Sequence, residues 1–390
     1  MNFDNPIDRR GTDSTKWDVM EKLYGLSPKD GLPMWIADMD FAAGEFLQDA
    51  MRDVMERASY GYFADRYRNF DAIVWWMQNR HNWQVDPDWM FTTAGLGNGI
   101  ALCIQAYTEP QDKIAIFTPV YHEFPAKIKN ANRQVTQFPL VKADGVFRMD
   151  FDAYQALLDG SEKMVLFCSP HNPAGRVWSV QEITELCEFC ARNDLILVSD
   201  EIHHDLVFPG FQFTPTQKVA QGITDKVIVA TSASKTFNIA GTRTGNIMIP
   251  NPEMRQTFAT LLTALNLEPN LLGVELYCAA YTPKGAAWVD QLNAYLEGNY
   301  QLFATGINAI PGVSLMPMQG TYLSWADFAG TGMDHTEIMR RVVKLAKIAP
   351  TPGPALGAGG ETCLRFNLGT QRSNIEMAVT RLQKAFSDLQ

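Results

Sequence analysis

Four short runs in the middle of the chain are apolar almost from end to end: KIAIF (113–117), MVLF (164–167), LILVS (195–199) and KVIVAT (226–231). A strand with one wet face alternates apolar and polar residues, and these runs do not. They read as strands covered on both faces, as in a parallel sheet held between two layers of helix. Between the second and third runs, residues 180–193 place Ile183, Leu186, Cys187 and Cys190 at helical spacing. Strand, helix and strand then form a βαβ unit, for which a right-handed crossover is expected.

The texture changes after about residue 285. Trp288, Leu292, Tyr295, Leu296 and Phe303 fit one face of a long helix. Short strand-like pieces follow, VSLM (313–316), TYLSW (321–325) and TCLRFNL (362–368), with helical patterns at 334–347 and 373–389. The stretch APTPGPALGAGG (349–360) is too rich in Pro and Gly to predict an element and reads as a loop bordering a site. The expected fold is α/β. A three-layer α/β/α large domain around a mostly parallel sheet (46–284) precedes a smaller α+β C-terminal domain (285–390), which an N-terminal arm (1–45) joins. A length of 390 residues suits such a two-domain chain.

Composition mainly excludes. The formal net charge of -10 offers no basic field to nucleic acid or anionic lipid, so an anionic ligand must be held by local donors. No apolar run approaches the roughly 20 residues that span a bilayer, and the opening MNFDNPIDRR has no apolar signal region. Six scattered cysteines do not form a disulfide framework, and a reducing cytoplasm is expected. Cys187 and Cys190 lack a second ligand pair nearby and read as small apolar residues of a helix. Adjacent His203 and His204 point apart in a strand or loop, so no metal is expected from them with Asp205.

In an open α/β sheet, ligands bind beyond the carboxyl ends of the strands. KIAIF is followed by TPVY, ending at Tyr121; MVLF by CSPHNPAG, with Asn172; LILVS by DEIHHD, opening at Asp200; KVIVAT by SASKTF, with Lys235. A ring, an amide, a carboxylate and an amine thus come to one edge, which is what pyridoxal 5′-phosphate requires. Lys235 supplies the amine that bonds the cofactor aldehyde. Asp200 keeps the pyridine nitrogen protonated, Asn172 donates to the phenolic oxygen, and Tyr121 stacks on the ring. The phosphate is assigned the Leu96 and Gly97 amides at a helix start, the Ser232 and Ser234 hydroxyls, and the charge of Arg243. The glycines at 95, 97 and 99 lack the full dinucleotide fingerprint G-x-G-x-x-G.

CSPHNPAG, SDEIHHDL and SASKTFNIAGTRTG resemble the signature segments of fold-type I pyridoxal-phosphate enzymes, the aspartate aminotransferase superfamily. The resemblance implies that Lys235 is the Schiff-base lysine and that Arg365, in CLRFNLG, clamps the substrate α-carboxylate. MWIADMDF (34–41) with CSPHNPAGRVW and DEIHHD is similar to cystathionine β-lyases of the MalY/PatB type. His203 then stands beside the phenolic oxygen, where many aminotransferases carry a tyrosine. Tyr62, in YGYF, resembles a tyrosine that reaches the phosphate of a neighbouring subunit, which implies a homodimer with shared sites. Trp35 either lines the substrate pocket or staples the arm.

Three functions remain open on these residues. One is a carbon–sulfur β-lyase on L-cystathionine or related cysteine S-conjugates, with Lys235, Tyr121 and Asp200 catalytic and Arg365, Asn172 and Trp35 on the substrate. Another is a class I/II aminotransferase. The third is a binding module without catalysis, which has no need of the Lys, Asp, Asn and Arg set.

Overall fold

The computed structural model describes residues 2–65 and 67–389. Its centre is a seven-stranded sheet built from β1 (Met90–Thr93), β2 (Lys113–Thr118), β3 (Gln134–Pro139), β4 (Glu162–Cys168), β5 (Ile196–Asp200), β6 (Val227–Thr231) and β7 (Gly245–Met248). The order across the sheet is β1-β7-β6-β5-β4-β2-β3. β7 pairs antiparallel with both neighbours, and the other pairings are parallel.

The unbroken apolar runs are the central strands, and each serves two cores. In β2, Ala115 and Phe117 enter one core and Ile114 and Ile116 the other. In β4, Val165 and Phe167 separate in the same way from Met164 and Leu166. A strand cannot alternate polarity when both faces are dry. The helix Val180–Arg192 covers one face; Ser179 and Glu182 close a capping box at its start, and Cys187 and Cys190 are buried in its packed side.

The second sheet has four strands, β8 (Ser314–Leu315), β9 (Leu323–Asp327), β10 (Thr351–Pro352) and β11 (Cys363–Asn367), in the order β8-β9-β11-β10. All its pairings are antiparallel. The long helix Pro283–Asn308 buries Trp288, Leu292, Leu296 and Phe303. The first core runs continuously from the large sheet through this helix to Leu364 and Phe366 of β11. The arm joins here, since Leu32–Pro33 pairs in parallel with Ile348–Ala349.

Two local readings change. The 349–360 stretch is not loop throughout, because Thr351–Pro352 forms β10 at the sheet edge. Proline is tolerated there, where its missing N–H faces no partner strand. The helix expected over 334–347 is α-helical only over His335–Met339 and widens to a π-turn over Arg340–Leu345.

Candidate active site

The carboxyl ends of β2, β4, β5 and β6 meet around a cavity of about 400 Å³. Tyr121, Asn172, Asp200, His203 and Lys235 line it from the large sheet. Leu96 and Gly97 enter from the first turn of the helix Leu96–Tyr107, whose first amides have no intrahelical acceptor. Arg365 reaches it from β11, and Trp35 from the arm. Trp35 borders the cavity, and its Nε1 donates to Lys16 O at 3.0 Å.

Asp200 is 6% exposed. Its carboxylate accepts one hydrogen bond, from the Ile202 N–H at 3.1 Å. Burial pushes it up to about 7, against the pull of that bond and of Lys235 and Lys127. Burial also brings the Lys235 ammonium down to about 8, with Arg365 and Arg243 opposing its charge and Asp38 and Asp200 favouring it. Among the described residues Lys235 Nζ has one hydrogen-bond partner, Ala37 O at 2.6 Å. His203 is buried, with its Nδ1 unpartnered and its imidazole held neutral by burial and by Lys235 and Arg365. Tyr121 is pushed up to about 12 by burial, so it is a phenol at neutral pH.

Arg365 is almost fully buried without any carboxylate beside it among the described residues. Its Nη1 donates to Asn172 Oδ1 at 2.8 Å, and its Nη2 to Trp35 O at 2.7 Å and Thr351 Oγ1 at 3.0 Å. Its Nε is buried and unpartnered. Burial brings its pKa down to about 10, so it is still charged at neutral pH. A buried guanidinium with a free N–H beside a cavity is short of an anion.

The remaining assignments lie outside the cavity lining. The Ser232 Oγ donates to Thr244 O at 2.7 Å and accepts from the Ser234 N–H at 3.1 Å. Its one proton is therefore committed, and a phosphate contact requires the hydroxyl to turn. Ser234 is half-buried on the same short helix as Lys235. Arg243 is exposed and packs beside Gly95; a Cβ on that glycine would lie 3.7 Å from the Arg243 backbone. Tyr62 is fully exposed and borders a different groove, with Tyr60, Phe63 and Asn266.

Several cavity residues escaped the sequence reading. Ile202 follows Asp200 by two, a spacing that could have suggested the same side. Tyr24 and Thr351 also line the cavity. Tyr24 donates to Pro350 O at 2.7 Å and meets Trp35 edge-on. Lys127 lies over the helix start, where a Cβ on Gly97 would come within 3.3 Å of its Nζ. Its ammonium is paired with Glu123 at 2.8 Å.

The backbone of MWIADMDF forms the cavity's arm-side wall. From residue 35 to 41 every carbonyl accepts from a side chain. Asn367 holds Ile36 O and Asp38 O, while Lys235 and Tyr322 hold Ala37 O. Behind the wall, Arg9 and buried Lys16 pair with Asp40, Arg9 also with Asp38.

His204 and Asp205 do cluster, but with His81 rather than His203. The Asp205 oxygens are already taken by His81 Nε2 at 2.8 Å, Trp76 Nε1 at 2.9 Å and Thr236 Oγ1 at 3.0 Å. Burial opposes its charge, but His204, His81 and Arg80 outweigh that and hold Asp205 well below the usual carboxylate range. This hub ties the helix Arg68–His81 to the turn that carries Lys235.

The donor set fits pyridoxal 5′-phosphate. A buried, under-bonded carboxyl suits a cationic ring nitrogen. The unpartnered His203 Nδ1 and the Asn172 amide suit a phenolic oxygen, and the open amides at Leu96 and Gly97 suit a phosphate.

Comparison with known proteins agrees. Residues 38–382 match the family of class I and II aminotransferases. The chain is 35% identical to the cystathionine beta-lyase PatB of Bacillus subtilis, over 99% of this chain and 100% of that protein. It is 31% identical to the MalY protein of Escherichia coli, over 99% and 98% of the two chains. The crystal structure of cystalysin from Treponema denticola, which contains pyridoxal 5′-phosphate, superposes with a TM-score of 0.94 at 33% identity, covering 100% of this chain and 99% of that one. The chain belongs to the class I and II aminotransferase family of pyridoxal-phosphate enzymes, in the branch that includes PatB and MalY.

Proposed function

We propose that this enzyme is a carbon–sulfur β-lyase that cleaves L-cystathionine or related cysteine S-conjugates to a thiol, pyruvate and ammonia. The observation that carries the reading is the full-length likeness to PatB, joined to a cavity that brings together Lys235, Asp200, Asn172, Tyr121 and Arg365.

The bound cofactor supplies an electron sink for negative charge at the substrate Cα. Asp200 would hold its ring nitrogen protonated, and Asn172 and His203 would face its phenolic oxygen. Leu96, Gly97, Ser234 and Arg243 would hold its phosphate, with Ser232 after a turn of its hydroxyl. Tyr121 and Ile202, which line the cavity, would contact its ring. Arg365 binds the substrate α-carboxylate, oriented by Asn172 and by Trp35 O, and so fixes which Cα bond faces Lys235. Lys235 takes the α-proton. A lysine at about 8 is a better base near neutral pH than one at its ordinary value. Tyr121, a phenol at neutral pH, donates a proton to the departing sulfur.

The site's completion by a neighbouring subunit belongs to the same proposal. Tyr60, Tyr62 and Tyr67 are exposed aromatics on one segment, which supports a homodimer in which Tyr62 reaches the partner's phosphate. The free cysteines support a reducing cytoplasm, and no helix among the described residues is long and apolar enough to cross a membrane. The division into an arm (1–45), a large domain (46–284) and a small domain (285–390) is supported by the separation of the seven-stranded sheet from the four-stranded one.

The test is L-cystathionine given without any keto-acid acceptor. Pyruvate in many-fold excess over enzyme supports elimination. No pyruvate and no thiol, but one equivalent of the 2-oxo acid of cystathionine per enzyme with turnover restored only by a keto acid, establishes amino-group transfer instead.

A further inference from the structure

Asn367 is fully buried at the end of β11. Both N–H bonds of its side-chain amide go to the arm wall, to Ile36 O at 2.5 Å and Asp38 O at 2.6 Å. Its Oδ1 accepts from the Gly369 N–H at 2.7 Å. The two carbonyls it holds flank Ala37, so the peptide between them cannot rotate without breaking one of the two bonds. The Ala37 carbonyl is thereby turned into the cavity, where it accepts from Lys235 Nζ at 2.6 Å and from the buried Tyr322 hydroxyl at 3.0 Å.

We propose that Asn367 is a positioning residue for the reaction, aiming the Ala37 carbonyl at Lys235 so that the protonated lysine has an acceptor waiting. The proposal rests on the reading of Lys235 as the group that takes the α-proton. In that step the Cα–H bond breaks, the proton passes to Nζ, and the bonding pair stays on the substrate side. The lysine becomes an ammonium in a buried place. An ammonium without an acceptor there is costly, and a charge-assisted hydrogen bond offsets that cost.

Other charged and titratable groups face Lys235 from the packed elements. Asp38 on the arm and Asp200 at the end of β5 favour its charge, and Arg365 on β11 and Arg243 oppose it. His203 is neutral, and Tyr322 stays a phenol because burial raises it. None of them hydrogen-bonds Nζ, so the directional contact with the ammonium is the Ala37 carbonyl. Tyr322 competes for the same oxygen, which gives two variants of opposite sign.

The experiment uses the holoenzyme and compares Asn367→Leu and Tyr322→Phe with the parent. Read-outs are the α-deuterium isotope effect on kcat, the acid limb of the kcat–pH profile, KM and cofactor affinity. Asn367→Leu is expected to lower kcat about tenfold, the size of one hydrogen bond to a charged group. Its isotope effect should rise, and its acid limb should move to lower pH as the ammonium loses its acceptor. KM and cofactor affinity should stay within about twofold. Tyr322→Phe, which removes a competing donor at nearly constant shape, should move the acid limb to higher pH. An unchanged acid limb and isotope effect in folded Asn367→Leu overturn the proposal. Should that variant fail to fold, an acid limb in Tyr322→Phe that stays put or moves down does the same. Lys235→Ala separates the two layers: if it still exchanges the substrate α-hydrogen with D₂O at the parent rate, the assignment of Lys235 fails, whatever Asn367 does.

Discussion

Arg365 and Asn172 are joined by a hydrogen bond of 2.8 Å that crosses from the small sheet to the large one. Arg365 stands on β11 and Asn172 follows β4, 193 residues apart in sequence. The bond puts the charge proposed to bind the substrate carboxylate in register with the residues at the edge of the large sheet. The other partners of Arg365 are Trp35 O and Thr351 Oγ1, neither of which neutralises it.

Replacing Arg365 with Lys keeps a charge but loses the planar fork. Expected is a loss of about 1.5–3 kcal/mol of substrate binding, or roughly 10- to 150-fold in kcat/KM, seen mainly in KM. Steady-state kinetics on L-cystathionine check this. A KM within about twofold of the parent would remove Arg365 from the substrate.

Asp200 gives a pH signature in the cofactor-free protein. Its folded-state pKa is raised from 3.8 to about 7. The folded protein therefore binds more protons than the unfolded chain between those values, and stability falls as pH rises through that window. Asn carries no charge and lacks that fall. Thermal melts of cofactor-free Asp200→Asn should exceed the parent's by a margin that grows between about pH 4 and 7 and then levels off. With cofactor present, the same variant should lose at least about 100-fold in turnover, because the ring nitrogen loses its partner. A flat difference in melting temperature would contradict the burial argument.

Tyr121→Phe keeps the ring and removes the hydroxyl. Cofactor affinity should hold, while lyase turnover should fall sharply for substrates whose leaving thiolate is strongly basic. A much smaller fall is expected for an acidic thiol such as an S-aryl conjugate, which leaves without a proton. Equal falls for both would retire Tyr121 as the proton donor.

Tyr62→Phe tests the shared site. In the proposed dimer the hydroxyl reaches a partner's phosphate, so affinity for pyridoxal 5′-phosphate should drop about tenfold. Affinity for pyridoxal, which lacks the phosphate, should not change. Equal affinities in parent and variant for both ligands would leave Tyr62 as surface only.

The part of this site that the seven-stranded sheet carries was legible because strand ends in a parallel sheet hold it. Each of Tyr121, Asn172, Asp200 and Lys235 follows a run whose burial on both faces is written in its composition. The arm side was not. Tyr24 and Thr351 come to the cavity through pairing of distant segments: Thr351 stands opposite Arg365 in β10 and β11, and the Tyr24 hydroxyl bonds Pro350 O. A proline-rich stretch gave no strand signal, although an edge strand can accept one. The role of MWIADMDF was hidden for another reason. Its backbone carbonyls do the holding, and no side-chain pattern reports them. The partnership of Asp205 with His81 was not legible either, because His81 lies on a helix 124 residues away in sequence.

The most direct measurement sets the parent enzyme beside Lys235→Ala, each saturated with pyridoxal 5′-phosphate and given L-cystathionine without a keto acid. Pyruvate, ammonia and thiol are counted together over time. The account requires equal amounts of all three from the parent over many turnovers, and none from the variant above the rate of free cofactor. Catalytic pyruvate from Lys235→Ala, or none from the parent, contradicts it.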